Sequence, residues 1–536
     1  MRLPAFLLTP LILGLVALHA AAQSGAPVHD GEIAVRARAA VERSLPLLQR
    51  SAQTWIEKQT CSSCHHQALG SMAVGLARQR GFEIDERLLA AQIDHMTPLK
   101  RESVLQSNAG INGQISQPYL LIALAAAGSP PRQELSDARV HYLAGKQATD
   151  GHWRSESHRP PLEDSEFTAT ALCLRALQLY APPARAGEFR RRVARARQWL
   201  EHAQPRTTEE RMMQVLGLAW AGGEASHIRT LAAELIAEQR PDGGWAQIPK
   251  LTSDAYATGK TLVVLQQTGT LRSDDPVFRR GIDFLLATQQ PDGSWHQATR
   301  RKGPGLPYFE TGFPHGIDQF ISYAGSAWAT MALLIAVDPA PTPWMRLSTP
   351  LLARRATAGN PMEDGVSPLM EAALSGTLAD MRRLVASGAD VNARSATGLT
   401  PLMCAVHDPE KASLLIARGA DVKAHTDGGT TPLLLAAAYD GAMKTMTQLL
   451  DHGADVNAAR KDGTTPLFAA AGGGDLAKVA LLIDRGAKLD AAITPAGFTP
   501  LHYATLLGDA AMAQLLLRRG ANPNATIAVR QHDRAD

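Results

Sequence analysis

The sequence is poor in cysteine, in aromatic residues and in long apolar runs. Four cysteines (Cys61, Cys64, Cys173 and Cys404) in 536 residues cannot staple a chain of this size, which excludes a disulfide-built fold. Cys173, in TATALCLRALQL, and Cys404, in TPLMCAV, sit in apolar helical stretches and read as buried free thiols. Aromatics are only 5% of the chain; alanine and leucine abound instead, so an all-α chain is expected. The formal net charge of +3 supplies neither a basic face nor an acidic tail, and no nucleic-acid partner is expected. After the N-terminal segment no stretch reads as long and apolar enough for the roughly 20 residues of a span, so no integral membrane segment is expected.

The first residues, MRLPAFLLTPLILGLVALHAAAQ, place Arg2 before an apolar run from Leu3 to Leu18, with Ala20 and Ala22 at A-x-A spacing. This pattern reads as a signal peptide over 1–22, cleaved after Ala22. The protein is then exported, to the periplasm or the outside. The remaining 514 or so residues exceed one core, so two or three domains are expected.

A loose repeat fills residues 30–338. GKQATDGHW (145–153), AEQRPDGGW (237–245) and ATQQPDGSW (287–295) each end a helix at Gln, turn at Asp-Gly and place a Trp. Asp-Gly marks a turn, and the Trp should pack back between helices. Apolar helices are expected near 68–79, 117–127, 167–179, 211–221, 256–267 and 321–336. A more polar, one-striped helix precedes each, near 43–59, 86–106, 133–147, 186–203, 226–239 and 275–290. Such alternation predicts an α6/α6 toroid, with inner and outer helices.

The Q-x-x-D-G-x-W loops resemble the QW motifs of the squalene cyclase and protein prenyltransferase superfamily. The resemblance covers about 300 residues and implies a toroid with a central cavity, able to hold a small hydrophobic ligand. It implies no activity by itself. The D-x-D-D motif with which squalene cyclases protonate substrate is absent. The nearest match, RSDDPVF (272–278), reads as a helix cap. The zinc-ligand set of prenyltransferases cannot be assembled either. Weak catalytic candidates remain. Glu166, Asp254 and Asp318 start three inner helices, four residues before Thr170, Thr258 and Ser322; they complement the helix dipole or ring the cavity mouth. The insertion PYFETGFPHGIDQF (307–320) could cap the cavity with Tyr308, Glu310, His315 and Asp318, or lie as a surface loop.

Residues 339–362 are rich in proline and read as a linker. From 363 to 525 a tighter period appears. Ser367-Pro368, Thr400-Pro401, Thr431-Pro432, Thr465-Pro466 and Thr499-Pro500 recur at intervals of 33, 31, 34 and 34, each followed later by a GADVN-like turn. This resembles five ankyrin units, which implies a protein partner. The second unit is two residues short. Finger tips are expected near Arg394–Thr397, His425–Asp427, Arg460–Asp462 and Thr494–Ala496, and the alternative use of the array is packing on the toroid. A polar tail closes the chain at 526–536.

One cluster remains, KQTCSSCHHQALG (58–70). Cys61-Ser62-Ser63-Cys64-His65 is the C-x-x-C-H signature of covalent haem c: two thiols take the vinyl groups and His65 the iron as proximal ligand. Met72, His95, Met96 and His315 are candidates for the sixth position, without a spacing rule behind them. The competing readings are a Cys61–Cys64 disulfide, a zinc site using His65 or His66, and a Cys64–Gln67 thioester like that of complement-type proteins. Three functions follow: a haem protein for electron transfer or redox-linked binding, an isoprenoid-acting enzyme, or a binding scaffold without haem.

Overall fold

The computed structural model describes residues 28–58, 65–96, 104–105, 116–128, 133–155, 160–300, 310–340, 365–494 and 497–527. The predicted signal peptide, both cysteines of the C-x-x-C-H motif, Tyr308 and most of the linker lie outside these residues. No β-strand occurs among them; one isolated bridge joins Ile493 and Phe498.

Among the described residues up to 337, twelve α-helices alternate between two layers. The outer layer is α1 (Val28–Lys58), α3 (Glu86–Met96), α5 (Gln133–Gly145), α7 (Ala186–His202), α9 (Ala225–Ala237) and α11 (Pro276–Thr288). The inner layer is α2 (His65–Gln79), α4 (Ser116–Ala126), α6 (Glu166–Tyr180), α8 (Thr208–Trp220), α10 (Ala255–Gln267) and α12 (Gln319–Val337). Composition sorts the layers. α11 buries one stripe, Phe278, Gly281, Ile282 and Leu285, whereas α10 buries every residue from Ala255 to Leu265. Each inner helix packs on the next, and α12 packs on α2, which closes the ring. The fold is the expected α6/α6 toroid. Its α1 starts at Val28, well before the expected 43, and covers both α12 and α2. Gly316–Val337 is long and apolar enough to cross a membrane, contrary to the expectation from sequence, but it is mostly buried inside the ring.

The three QW loops are built alike. Trp153, Trp245 and Trp295 are wholly buried. Each indole N–H donates to a carbonyl of the preceding outer helix: Leu143, Leu235 and Leu285, at 2.7–2.8 Å. Each Trp backbone N–H donates to an inner-helix hydroxyl: Thr170, Thr258 and Ser326. The glutamine spans two elements. Gln147 Nε2 donates to Gly151 O and to Arg192 O on α7. Gln239 Nε2 donates to Gly243 O and to Val277 O on α11. Gln289 Nε2 donates to Gly293 O and, across the closure, to Ala40 O on α1. Gly293 has φ +91°, and a Cβ there would lie 2.5 Å from Arg43 O; only glycine permits both the turn and the approach.

Residues 365–527 form five helix pairs: α13 (Pro368–Ser375) and α14 (Leu378–Ala386), α15 (Pro401–Cys404) and α16 (Pro409–Ala417), α17 (Pro432–Ala438) and α18 (Met443–Asp451), α19 (Pro466–Gly472) and α20 (Leu476–Asp484), α21 (Pro500–Leu506) and α22 (Ala510–Arg518). Each first helix opens with proline behind a Ser or Thr cap, whose side chain accepts a backbone N–H. The missing residues of the second unit come out of α15, which keeps four residues. Lys411 and Lys478 bury their ammonium groups against the carbonyl end of the preceding unit's first helix: Ala372, Ala373 and Gly376 for Lys411; Ala436, Ala437 and Tyr439 for Lys478. Successive fingers bond to each other, Asp427 N to Thr397 O, Lys461 N to Gly428 O and Thr494 N to Asp462 O.

Replacing Gln289 with alanine removes three bonds at the ring closure, to Ala40 O, to Gly293 O and from Arg43. The expected loss is about 3 kcal/mol at roughly 1 kcal/mol per bond, read as a shift in urea midpoint with unchanged helicity.

Candidate functional site

The acids flagged at the inner-helix starts do different jobs. Ser165, not Glu166, caps α6. Glu166 instead faces His152, whose Nε2 lies 3.6 Å from Oε1 while its Nδ1 bonds Asp150 Oδ1 at 2.6 Å. Burial pulls His152 down, but the bonds to Asp150 and Glu166 outweigh it and raise its pKa to about 9. The imidazole also stacks on Trp199, ring centres 5.2 Å apart. Asp254 is a true N-cap: Oδ1 accepts from Ala257 N at 2.8 Å. Its Oδ2 is shielded from water, and burial pushes the carboxyl up to about 6 against the pull of hydrogen bonds from Ala257 N and Gln247.

Asp318 falls out of this register. The hydroxyl that receives the third Trp N–H is Ser326, so the residue matching Glu166 and Asp254 is Ser322. Ser322 takes the Gln297 N–H instead. Asp318 holds the loop before α12 by accepting from Thr299 N at 2.8 Å and pairing with His296 at 2.9 Å. His315, in a left-handed conformation with φ +83°, bonds Ser294 Oγ at 2.8 Å and packs on His296. Glu310 accepts its own loop's Gly312 N–H. Of the five candidates described, Asp318 and His315 meet at His296, while Glu166, Asp254 and Glu310 each have partners of their own, so the five do not form one constellation.

A buried charged group that sequence reasoning missed lies among the inner helices. Glu209, in the first turn of α8, pairs with Lys260 of α10 at 2.5 Å; their side chains are 4% and 1% exposed. Thr168 and Tyr256 hydroxyls donate to the same carboxylate at 2.9 and 3.1 Å. The ammonium lies 5.1 Å from the Trp328 ring centre. Burial lowers the Lys260 pKa, against the pull of Glu209. The sequence carries a signal, the Glu209-Glu210 doublet. Glu210 completes a capping box with Thr207, which leaves Glu209 to turn inward.

Around the C-x-x-C-H motif, only the backbone of His65 is described, as the first residue of α2. Its neighbour His66 is buried in an aromatic box: Tyr323 at 3.7 Å, Trp55 at 5.0 Å and Phe320 at 6.3 Å between ring centres. Gln67 is also buried, with Nε2 donating to Ala52 O. Among the candidates for a sixth haem ligand, Met72 and Met96 are buried in the core, Met96 Sδ near the Ser71 hydroxyl. None is singled out by its contacts. Among the described residues, no group of three or more His, Cys, Asp or Glu converges as a metal site.

The array is docked on the ring rather than hung from the linker. Arg192 donates to Asp440 Oδ2 at 2.9 Å and to its carbonyl at 3.1 Å, and Arg195 joins the same carboxylate. Asp440 N–H donates to Gly145 O at the end of α5. Arg185 donates to the Tyr439 hydroxyl at 2.7 Å and to Leu374 O at 3.2 Å, while Glu188 holds its other edge. Arg154 pairs with Asp509 at 3.0 Å. These partners sit at the first-helix ends and inter-helix turns of the array.

A pH test follows for the His152 cluster. An unfolded imidazole titrates near 6.5, so the contribution of protonated His152 is complete below that pH and fades as pH rises through about 9. His152→Gln should cost roughly 1–3 kcal/mol at pH 6 and little at pH 10, by urea denaturation at each pH.

Three overlapping segments, 351–426, 369–460 and 433–527, match the ankyrin-repeat family. A weaker likeness is to the drimenyl diphosphate synthase of Streptomyces showdoensis, 27% identical over 182 residues, which are 34% of this chain and 27% of that protein. The chain thus spans about a quarter of the length of the curated relative it matches. The segment that follows the helical ring is an array of ankyrin repeats.

Proposed function

We propose that the protein is an exported interaction scaffold, in which the ankyrin array recruits a protein partner and the C-x-x-C-H motif of the ring carries a covalent haem. The observation that carries the recruitment reading is the placement of the array. Its first-helix ends and turns hold the ring, whereas among the described residues its fingers bond along their own row. A rigidly mounted edge of this kind loses little entropy on binding. For the haem, the donor chemistry fits: two thiols three residues apart, an adjacent imidazole, and a helix that starts at His65. Cys61 and Cys64 would hold the porphyrin and His65 its iron, and the group would supply one-electron chemistry. The aromatic box of Trp55, Phe320 and Tyr323 supplies an apolar wall beside that helix start.

A second reading, an isoprenoid-acting enzyme, is favoured by one residue. Asp254 stands at an inner-helix start with a shielded carboxyl oxygen and a pKa raised to about 6, as a general acid requires. The likeness to a drimenyl diphosphate synthase points the same way.

Expression of the full chain with cytochrome-maturation factors should give a covalent pyridine haemochrome, lost in Cys61→Ala and Cys64→Ala. A colourless wild-type protein would end the haem reading and leave the scaffold reading standing. Charge reversal at the fingers, by Arg394→Glu, His425→Glu and Lys461→Glu together, should weaken partner capture at least tenfold with no change in melting temperature. Under the second reading, turnover of a polyprenyl diphosphate falls at least a hundredfold in Asp254→Asn; unaltered turnover, or none in the wild type, removes it.

A further inference from the structure

We propose that the contact between ring and array is an acid-released latch, opened by protonation of His141 and His407. His141 lies on α5, and His407 follows α15 in the second repeat. Their rings are 5.1 Å apart and nearly perpendicular, and both pack on Tyr439, at 4.7 and 5.9 Å. His141 Nδ1 sits 3.1 Å from Arg185 Nη1. A guanidinium only donates, so that nitrogen accepts and must be free of a proton. Both ring nitrogens of His407 are shielded from water without a hydrogen bond. A proton added there finds no acceptor.

The surrounding charge sharpens the effect. The groups facing the two imidazoles are Arg185 ahead of α7, Glu188 and Arg192 on α7, Lys411 on α16, and the Tyr439 hydroxyl at the end of α17. Arg195 and Asp440 extend the cluster, and Asp408 flanks Lys411. Arg185, Arg192, Arg195 and Lys411 meet the carboxylates of Glu188, Asp440 and Asp408 around the contact. Arg185, Arg192 and Lys411 each disfavour a charged imidazole at His141, and only Glu188 opposes them there. Burial first, and Arg185 next, hold both histidines well below their usual value.

The direction follows. Above about pH 6.5 the histidines are neutral whether the contact is closed or open, and the latch has its full strength. Below that pH the open form takes up protons that the closed form refuses. The closed-to-open ratio falls as pH drops, by up to about tenfold per histidine per pH unit. Glu188, held well below its usual value against its own burial by Arg185 and Arg192, stays ionised through this range. The released surface is the row Leu374, His407, Tyr439 and Asp440, which the ring otherwise covers.

The Asp440 N–H, bonded across the contact to Gly145 O, is the probe. Hydrogen exchange of the full chain, corrected for intrinsic rate, should show this amide protected at pH 7.5 and at least tenfold less protected at pH 5.0. Amides within α10 and α18 should keep their protection. In the double variant His141→Gln/His407→Leu the Asp440 amide should stay protected at both pH values. Equal protection of the wild type at pH 7.5 and 5.0 overturns the proposal. So does acid release that persists in the double variant, which would assign the opening to carboxylates. Should that variant be open at pH 7.5, imidazole titration in the wild type by NMR decides: both histidines must titrate below pH 6.5 and together with the loss of Asp440 protection, and titration at the ordinary value overturns the latch.

Discussion

The bond on which this architecture turns is the primary amide of a glutamine at the end of an outer helix. Gln147, Gln239 and Gln289 each reach forward with one nitrogen, to the backbone of their own turn and to the backbone of the next outer helix. An arginine from that next helix returns to the amide oxygen: Arg195, Arg280 and Arg43. One side chain therefore fixes the turn, sets the angle to the following helix pair and satisfies groups that would otherwise be buried without partners. The tryptophan then fills the wedge behind it. A small, alanine-rich helix pair has little area to bury on its own, and this device supplies the geometry that its packing cannot.

The same device reaches the second domain. Gln147 Oε1 accepts from Arg195, which also holds Asp440 of the array. The first clasp of the ring and the mounting of the array thus share a guanidinium. A disturbance of either is felt by the other through one hydrogen-bonded chain, as expected of a buried network whose members are satisfied jointly.

The alternation of helices was legible because glycine, aspartate and tryptophan punctuate it, and the ankyrin units because Thr-Pro fixes each start. What escaped the sequence were partnerships between distant residues. Arg192 and Arg195 lie in FRRRVARAR, within the polar helix expected near 186–203; only the folded chain puts Asp440 beside them. A faint signal existed in Tyr439-Asp440, which stand where the fourth unit has Gly473-Gly474. The rim acids were legible as positions but not as roles, since Glu166 and Asp254 share a register that Asp318 does not. Glu209 stayed hidden behind its neighbour's capping box. The C-x-x-C-H motif stands where it did, since its thiols lie outside the described residues.

The clasp between Gln289 and Ala40 joins positions 249 residues apart. A chain is made at roughly 5–20 residues per second, so α1 waits on the order of tens of seconds for the helix and loop that complete its burial. Until then its apolar stripe, with Leu45, Leu48 and Trp55, faces solvent or whatever holds the nascent chain. Closure of the ring is a late, long-range event, and the first helix is the part of this protein most in need of protection while the rest is being made.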